Sequence, residues 1–452
     1  MPKYEIIDGV GIIPEGTTKV RINAFSRCLE LTSVVIPESV VEIEMHAFRY
    51  CRNLKSIILP KNFTKIHGGA FEGCTSLISI DIPDSVTEIG FRAFSDCCNL
   101  ESVKLPARLM EIEHCTFSKC EKLTSVCIPD SVKEIRNSAF YGCTNLSEIT
   151  LSTNLVHIRG SVFAGCTSIK EINLPEKLTE IDISTFEGCT GLLEITIPNG
   201  VTRIGHDSFK GCTNLIDIKI PDTITDICDG AFSGCSKLSS VSIPLGVTTI
   251  GKEAFMGCTG LNDIKIPVTV EEVGEMAFKG CCNLIKINIP ASVGDLGLGA
   301  FEDCTGLTSV KLPASIKEIG DNLFKNCTNL RYVELPASII TIGKKAFEGC
   351  VNLVNIDIPI SVTEIKDEAF QDCTSLAYIE IPAGVKRVGG YLFYNCTNLA
   401  WVRLMTDIDW RSAEAFIRCM ILDVIYVPVG KIEFYKERLP EWLHYAITEE
   451  TS

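Results

Sequence analysis

Cysteine is the residue with the most chemical potential in this chain, with 23 thiols among 452 residues. Paired thiols form disulfides, thiols grouped with histidine hold zinc, and a thiol beside a base is a nucleophile. All three chemistries need reactive groups that converge, so the spacing decides between them. Eighteen cysteines recur every 23 residues, from Cys28, Cys51 and Cys74 to Cys396 and Cys419. A thiol at that interval occupies the same site in successive structural repeats, which points to a ladder of small buried hydrophobes. Five cysteines lie outside the column: Cys98, Cys115, Cys127, Cys228 and Cys282. The pairs Cys97-Cys98 and Cys281-Cys282 place one extra thiol nearer the surface, and so many unpaired thiols suit a reducing setting.

The six histidines, His46, His67, His114, His157, His206 and His444, form no pair at helical zinc spacing, so no metal or other cofactor is expected. No phosphate loop, nucleophile elbow or dinucleotide fingerprint is present, and catalysis has no constellation to rest on. A formal net charge of −15 argues against a nucleic-acid backbone or an anionic membrane as the main partner. No apolar run is long enough for a membrane span, and the opening residues lack the basic-then-apolar pattern of a signal peptide.

The elements that position these residues follow from the same period. Phenylalanine holds a column of eighteen from Phe25 to Phe416, and proline holds one from Pro14 to Pro428 that fails only at Ser152 and Met405. Within a repeat, Leu215-Ile216-Asp217-Ile218-Lys219-Ile220 ends in period-two alternation, the mark of a strand with one buried face. The proline that follows cannot donate to a ladder and ends the strand at the same point in each coil. The next apolar pair, as in Val247 and Ile250, fits a short strand or a helical turn, of which an extended segment is favoured. Ala254-Phe255-Met256-Gly257-Cys258 reads as a helical or 3-10 turn closed by a residue with positive φ. One repeat cannot bury its apolar face alone, so stacked copies must share a core.

The assembled pattern, Ile-Pro-x-Ser-Val-x-x-Ile-Gly-x-x-Ala-Phe followed by Cys, Leu and Val over residues 82–103, resembles the BspA-type leucine-rich repeat family. The resemblance spans roughly residues 8–430. It implies an α/β-type leucine-rich repeat solenoid: a right-handed superhelix with a parallel sheet on its concave face, and short strands and helical or 3-10 turns on its convex side. The expected organisation is an N-terminal cap and degenerate first coil over 1–30, the solenoid over 31–427, and a capping segment with a short helix over 428–452.

If the middle residue of each strand faces inward, the residues on either side face out and can be read as surface columns. One column begins with five serines and continues with Glu148, Glu171, Glu194 and Asp217, with Asp263 two coils later. Stacked acids call for counterions or a basic partner, or stand as a solvated face. Toward the C-terminus Tyr332, Tyr378, Trp401, Arg403 and Tyr426 gather on one face, with Glu334, Asp357 and Glu380 beside them. Aromatics and arginine are common binding anchors, and they also serve to cover the end of a sheet. The resemblance implies a noncatalytic cell-surface or secreted adhesion protein with a protein or glycan ligand. The absent signal pattern keeps an intracellular interaction scaffold as the alternative.

Overall fold

The computed structural model describes residues 4–405, 407–410 and 414–450. A typical coil opens with a short strand such as Ser79–Asp81, in which Ile80 is buried and both neighbours are exposed. Pro83 then ends the ladder, and the Val86 amide donates to the Pro83 carbonyl at 3.0 Å to close a turn. The second apolar pair is extended, as in Glu88–Ile89, where Ile89 is buried.

Strands pair in parallel with the equivalent strand 23 residues away. Ser79, Ile80 and Asp81 face Ser102, Val103 and Lys104 in one sheet, and Lys65 and Ile66 face Glu88 and Ile89 in the other. The chain forms two compact units, Met1–Ile224 and Thr225–Ser452, each built of such two-sheet coils. The first unit begins with a hairpin in which Glu5–Ile7 runs antiparallel to Val10–Ile12. The second ends with Val424–Val427 paired in parallel to Ile447–Glu449. Between those strands lie the helix Ile432–Lys436, with Tyr435 buried, and the 3-10 turn Glu441–Ala446.

The expected helical or 3-10 turn around each phenylalanine does not form. Two residues per turn take the left-handed conformation, as at Ser138 (φ 58°) and Gly142 (φ 69°) on either side of Phe140. Left-handed residues interrupt a right-handed helix and turn alternate amides out of the coil. Ala139, Tyr141 and Cys143 donate within their own turn, whereas Ser138, Phe140 and Gly142 donate to Gly160, Val162 and Ala164 of the next coil. The turns therefore build a third set of hydrogen bonds between coils. Glycine at the second site accepts positive φ without strain, and the first site is mostly filled by other residues such as His46, Met276 and Glu368.

Inside each unit the phenylalanines stack, for example Phe48 on Phe71 with centroids 5.3 Å apart and planes 3° from parallel. That separation at such an angle is the offset arrangement that aromatic quadrupoles prefer.

Candidate functional site

The thiol ladder is assigned first, because it carries the most reactive groups. None of the 23 cysteines is in a disulfide, and thiols along the column donate to a carbonyl of the preceding coil, as Cys74 Sγ does to Phe48 O and Cys143 Sγ to Phe117 O, both at 3.1 Å. The same Phe48 carbonyl accepts from the Cys51 amide at 3.1 Å, so the thiol fills its second lone pair. Reading the column as plain hydrophobes was incomplete: these residues are also donors between coils, which explains why alanine or valine does not alternate with cysteine there. Burial pushes the Cys143 and Cys189 thiols up to about 12, far from the range of a nucleophile. Cys127 is the column-free thiol that lies exposed, on the strand Ser125–Cys127.

The acidic column lies on the outer face of the first unit. Glu148, Glu171, Glu194 and Asp217 are all exposed, and among the described residues none has a cation within ion-pair distance. The ladder fails inside this run. Glu148–Thr150 ends one sheet and Glu194–Thr196 begins another by pairing with Asp217–Lys219, while residues 171–174 between them pair with neither. A groove of about 290 Å³ opens there, bordered by Glu171, Asn173, Glu176, Glu194, Thr196 and Asp217. Like charges opposite one another weaken a ladder, yet Glu194 and Asp217 stay in register without a cation, so charge by itself does not open the rung at Glu171. On the second sheet the stacked pair Glu111 and Glu134 is in register, and Arg136 and Arg159 each reach one of its carboxylates at 2.7 Å. Asp263 belongs to the second unit, paired with Ser240, and is not part of this run.

The C-terminal aromatic residues converge more closely. Strands Tyr378–Ile381, Trp401–Leu404 and Val424–Val427 are consecutive in one sheet and place Tyr378 beside Trp401 and Arg403 beside Tyr426. The Tyr378 ring stacks on Trp401 with centroids 4.7 Å apart and 11° between planes. Tyr426 meets Trp401 edge-on at 6.2 Å and 76°. The Arg403 guanidinium carbon lies 5.7 Å from both the Trp401 and Tyr426 centroids, within cation–π range. Glu380 Oε1 accepts from Arg403 Nη1 at 2.7 Å, and Glu450 lies 3.5 Å from Arg403 Nε. All four of Tyr378, Trp401, Arg403 and Tyr426 are half-buried.

Tyr332 stands apart from this cluster, two coils before Tyr378, and is 47% exposed. Asn355 occupies the coil between them and donates from Nδ2 to the Tyr378 hydroxyl at 3.1 Å. Sequence columns placed the rings and Arg403 on one face; they did not reveal Glu450. That residue reaches the site only because Ile447–Glu449 adds to the sheet beyond Val424–Val427, a pairing outside the 23-residue period.

The profile of the BspA-type leucine-rich repeat region matches residues 11–124, 110–239, 184–308, 225–353 and 317–436. A leucine-rich repeat protein from Bacteroides ovatus is 27% identical with a TM-score of 0.53, covering 91% of this chain and 88% of its own. One from Eubacterium ventriosum is 22% identical with a TM-score of 0.50, covering 71% and 83%. A leucine-rich cell surface protein from Faecalibacterium prausnitzii is 26% identical with a TM-score of 0.47, covering 84% and 93%. No curated protein matches. No helix among the described residues is long and apolar enough to cross a membrane.

Proposed function

The chain belongs to the BspA-type leucine-rich repeat family, and from that premise we propose that it is a noncatalytic binding protein whose C-terminal sheet face contacts a protein ligand. The observation that carries this reading is the cluster of Tyr378, Trp401, Arg403 and Tyr426 on consecutive strands. Such residues supply large contact area at low conformational cost and dominate interface energetics. A solenoid needs no aromatic rings outside its core, since Phe and Leu columns already stabilise the stack.

A protein ligand is favoured over a glycan by the ring geometry. Trp401 has one face stacked on Tyr378 and meets Tyr426 at a steep angle, which reduces the flat indole surface open to a sugar ring. Adhesion at the cell surface is the setting suggested by the family resemblance. The alternative, an intracellular scaffold, draws on the free thiols, although burial makes most of them insensitive to the compartment.

Binding of the full chain to arrays of host-surface proteins and of glycans tests the proposal. Trp401→Ala and Tyr378→Ala should each weaken the protein contact by roughly 30-fold or more, the scale of an interface anchor. A protein ligand bound equally well by both variants, or binding confined to glycans, would overturn it. Fractionation of native cells separates surface from cytosolic placement.

A further inference from the structure

The first unit carries a concentration of positive charge that plays no part in the C-terminal face. The chain has a formal net charge of −15, yet Arg27 and Arg52 are both exposed and, among the described residues, neither has a carboxylate within ion-pair distance. Together with Leu29 and Tyr50 they line a pocket of about 330 Å³. The acid nearest in sequence, Glu30, shares a column with Asn53 and is not part of that lining.

Two adjacent turns build the pocket. Arg27 and Tyr50 occupy one column, and Leu29 and Arg52 occupy the column two residues further on. The Arg27 amide donates to Arg49 O at 2.7 Å and the Arg52 amide to Tyr50 O at 2.9 Å, which ties the two turns together. The Tyr50 ring is held in place: its hydroxyl donates to Glu72 Oε1 at 3.3 Å, and the ring lies so close over Gly73 that any side chain there would collide with it. The Glu72 carboxylate is already neutralised by Arg49 Nε at 2.8 Å. The Arg27 guanidinium carbon lies 5.9 Å from the Tyr50 centroid.

Backbone strain marks the same residues. Arg27 and Tyr50 have φ of 65° and 57°, at the left-handed position that later coils fill with Gly73, Asp96, Gly142 or Asn326. A long or aromatic side chain is disfavoured there, and such strain is concentrated at binding sites. The stack itself does not require it, because Gly142 donates to Ala164 just as Arg27 donates to Arg49.

We infer that the pocket formed by Arg27, Leu29, Tyr50 and Arg52 binds an oxyanion, either a carboxylate or a phosphate or sulfate ester, carried on an apolar body. Guanidinium forks supply paired donors for the oxygens, while Leu29 and the Tyr50 ring supply a wall for the body. A cation would be repelled by both arginines, and a neutral group would leave them without a counter-ion beneath the contact. The pocket belongs to the first unit, so it stands or falls separately from the C-terminal face.

Ligand-observed NMR on the full chain tests this with benzoate, phenyl phosphate and phenyl sulfate against benzamide, the neutral counterpart of benzoate. The anions should bind saturably, the tightest of them identifying the oxyanion, and benzamide should bind at least about tenfold more weakly than that one. Arg27→Gln and Arg52→Gln should each weaken it at least about fivefold. Arg108→Gln makes the same charge change at another exposed arginine of the unit and should leave binding unchanged. No saturable anion binding, equal binding of benzamide, or equal weakening by Arg108→Gln would overturn the pocket.

Discussion

Replacing Phe140 by alanine tests whether the fold is held by contacts between neighbouring coils. The ring is fully buried and stacks on Phe117 at 5.4 Å and on Phe163 at 5.9 Å. Truncating a buried phenylalanine costs about 3–5 kcal/mol through lost transfer energy and the cavity left behind. Each broken ring pair adds about 0.5–1.5 kcal/mol, and partial collapse of the flanking rings returns some of that. A net local loss of about 4 kcal/mol would raise amide opening near the site about a thousandfold. Because each coil touches only its neighbours, the loss should be concentrated there. Hydrogen exchange read by mass spectrometry should show the largest acceleration in peptides containing Phe117, Phe140 and Phe163, fading within about two coils. Equal acceleration in peptides near Phe25 and Phe209 would refute nearest-neighbour stacking as the source of stability.

Cys143→Ala removes the thiol that donates to Phe117 O at 3.1 Å and should cost about 1–2 kcal/mol, read as a lower urea midpoint; an unchanged midpoint would mean the thiol contributes packing only. Burial lifts Cys143 and Cys189 up to about 12 in the folded state, above their unfolded value near 9. A raised folded pKa means stability that is fully present below about pH 9 and is lost as pH climbs toward 12, so thermal midpoints should fall across that window. In native protein at pH 8.5, iodoacetamide should modify exposed Cys127 and spare buried thiols such as Cys143 and Cys189, and rapid labelling of Cys143 would contradict its burial. Glu171→Gln relieves the unpaired acid run and should raise the low-salt thermal midpoint, with the gain shrinking in 0.5 M sodium chloride; equal gains at both salt levels would exclude repulsion among these acids as the source of the gain.

Much of this architecture was legible because a period of 23 residues leaves each column in one environment. Phe25 through Phe416 could be assigned to the core from recurrence alone, and the alternation around Ile80 and Ile218 identified strands whose outer residues were then readable. The turns were less legible. Helix and the observed turn both place Phe and Cys inward, and they differ only in φ at sites such as Ser138 and Met276, whose side chains do not reveal a left-handed backbone. The thiol hydrogen bond was equally hidden, since its acceptor is a backbone carbonyl 26 residues earlier.

The binding face divides along the same line. Period and alternation determined which residues point outward and which coil each occupies, because side-chain direction in a strand is set by local geometry. Tertiary structure decided which neighbours engage: Tyr378 on Trp401, Arg403 on Glu380, Glu450 brought in from beyond the repeats, and Glu171 and Asp357 left at open rungs of the ladder. Those outcomes depend on distances between coils and on which charge finds a counter-charge across the stack, quantities that arise only once every coil is in place.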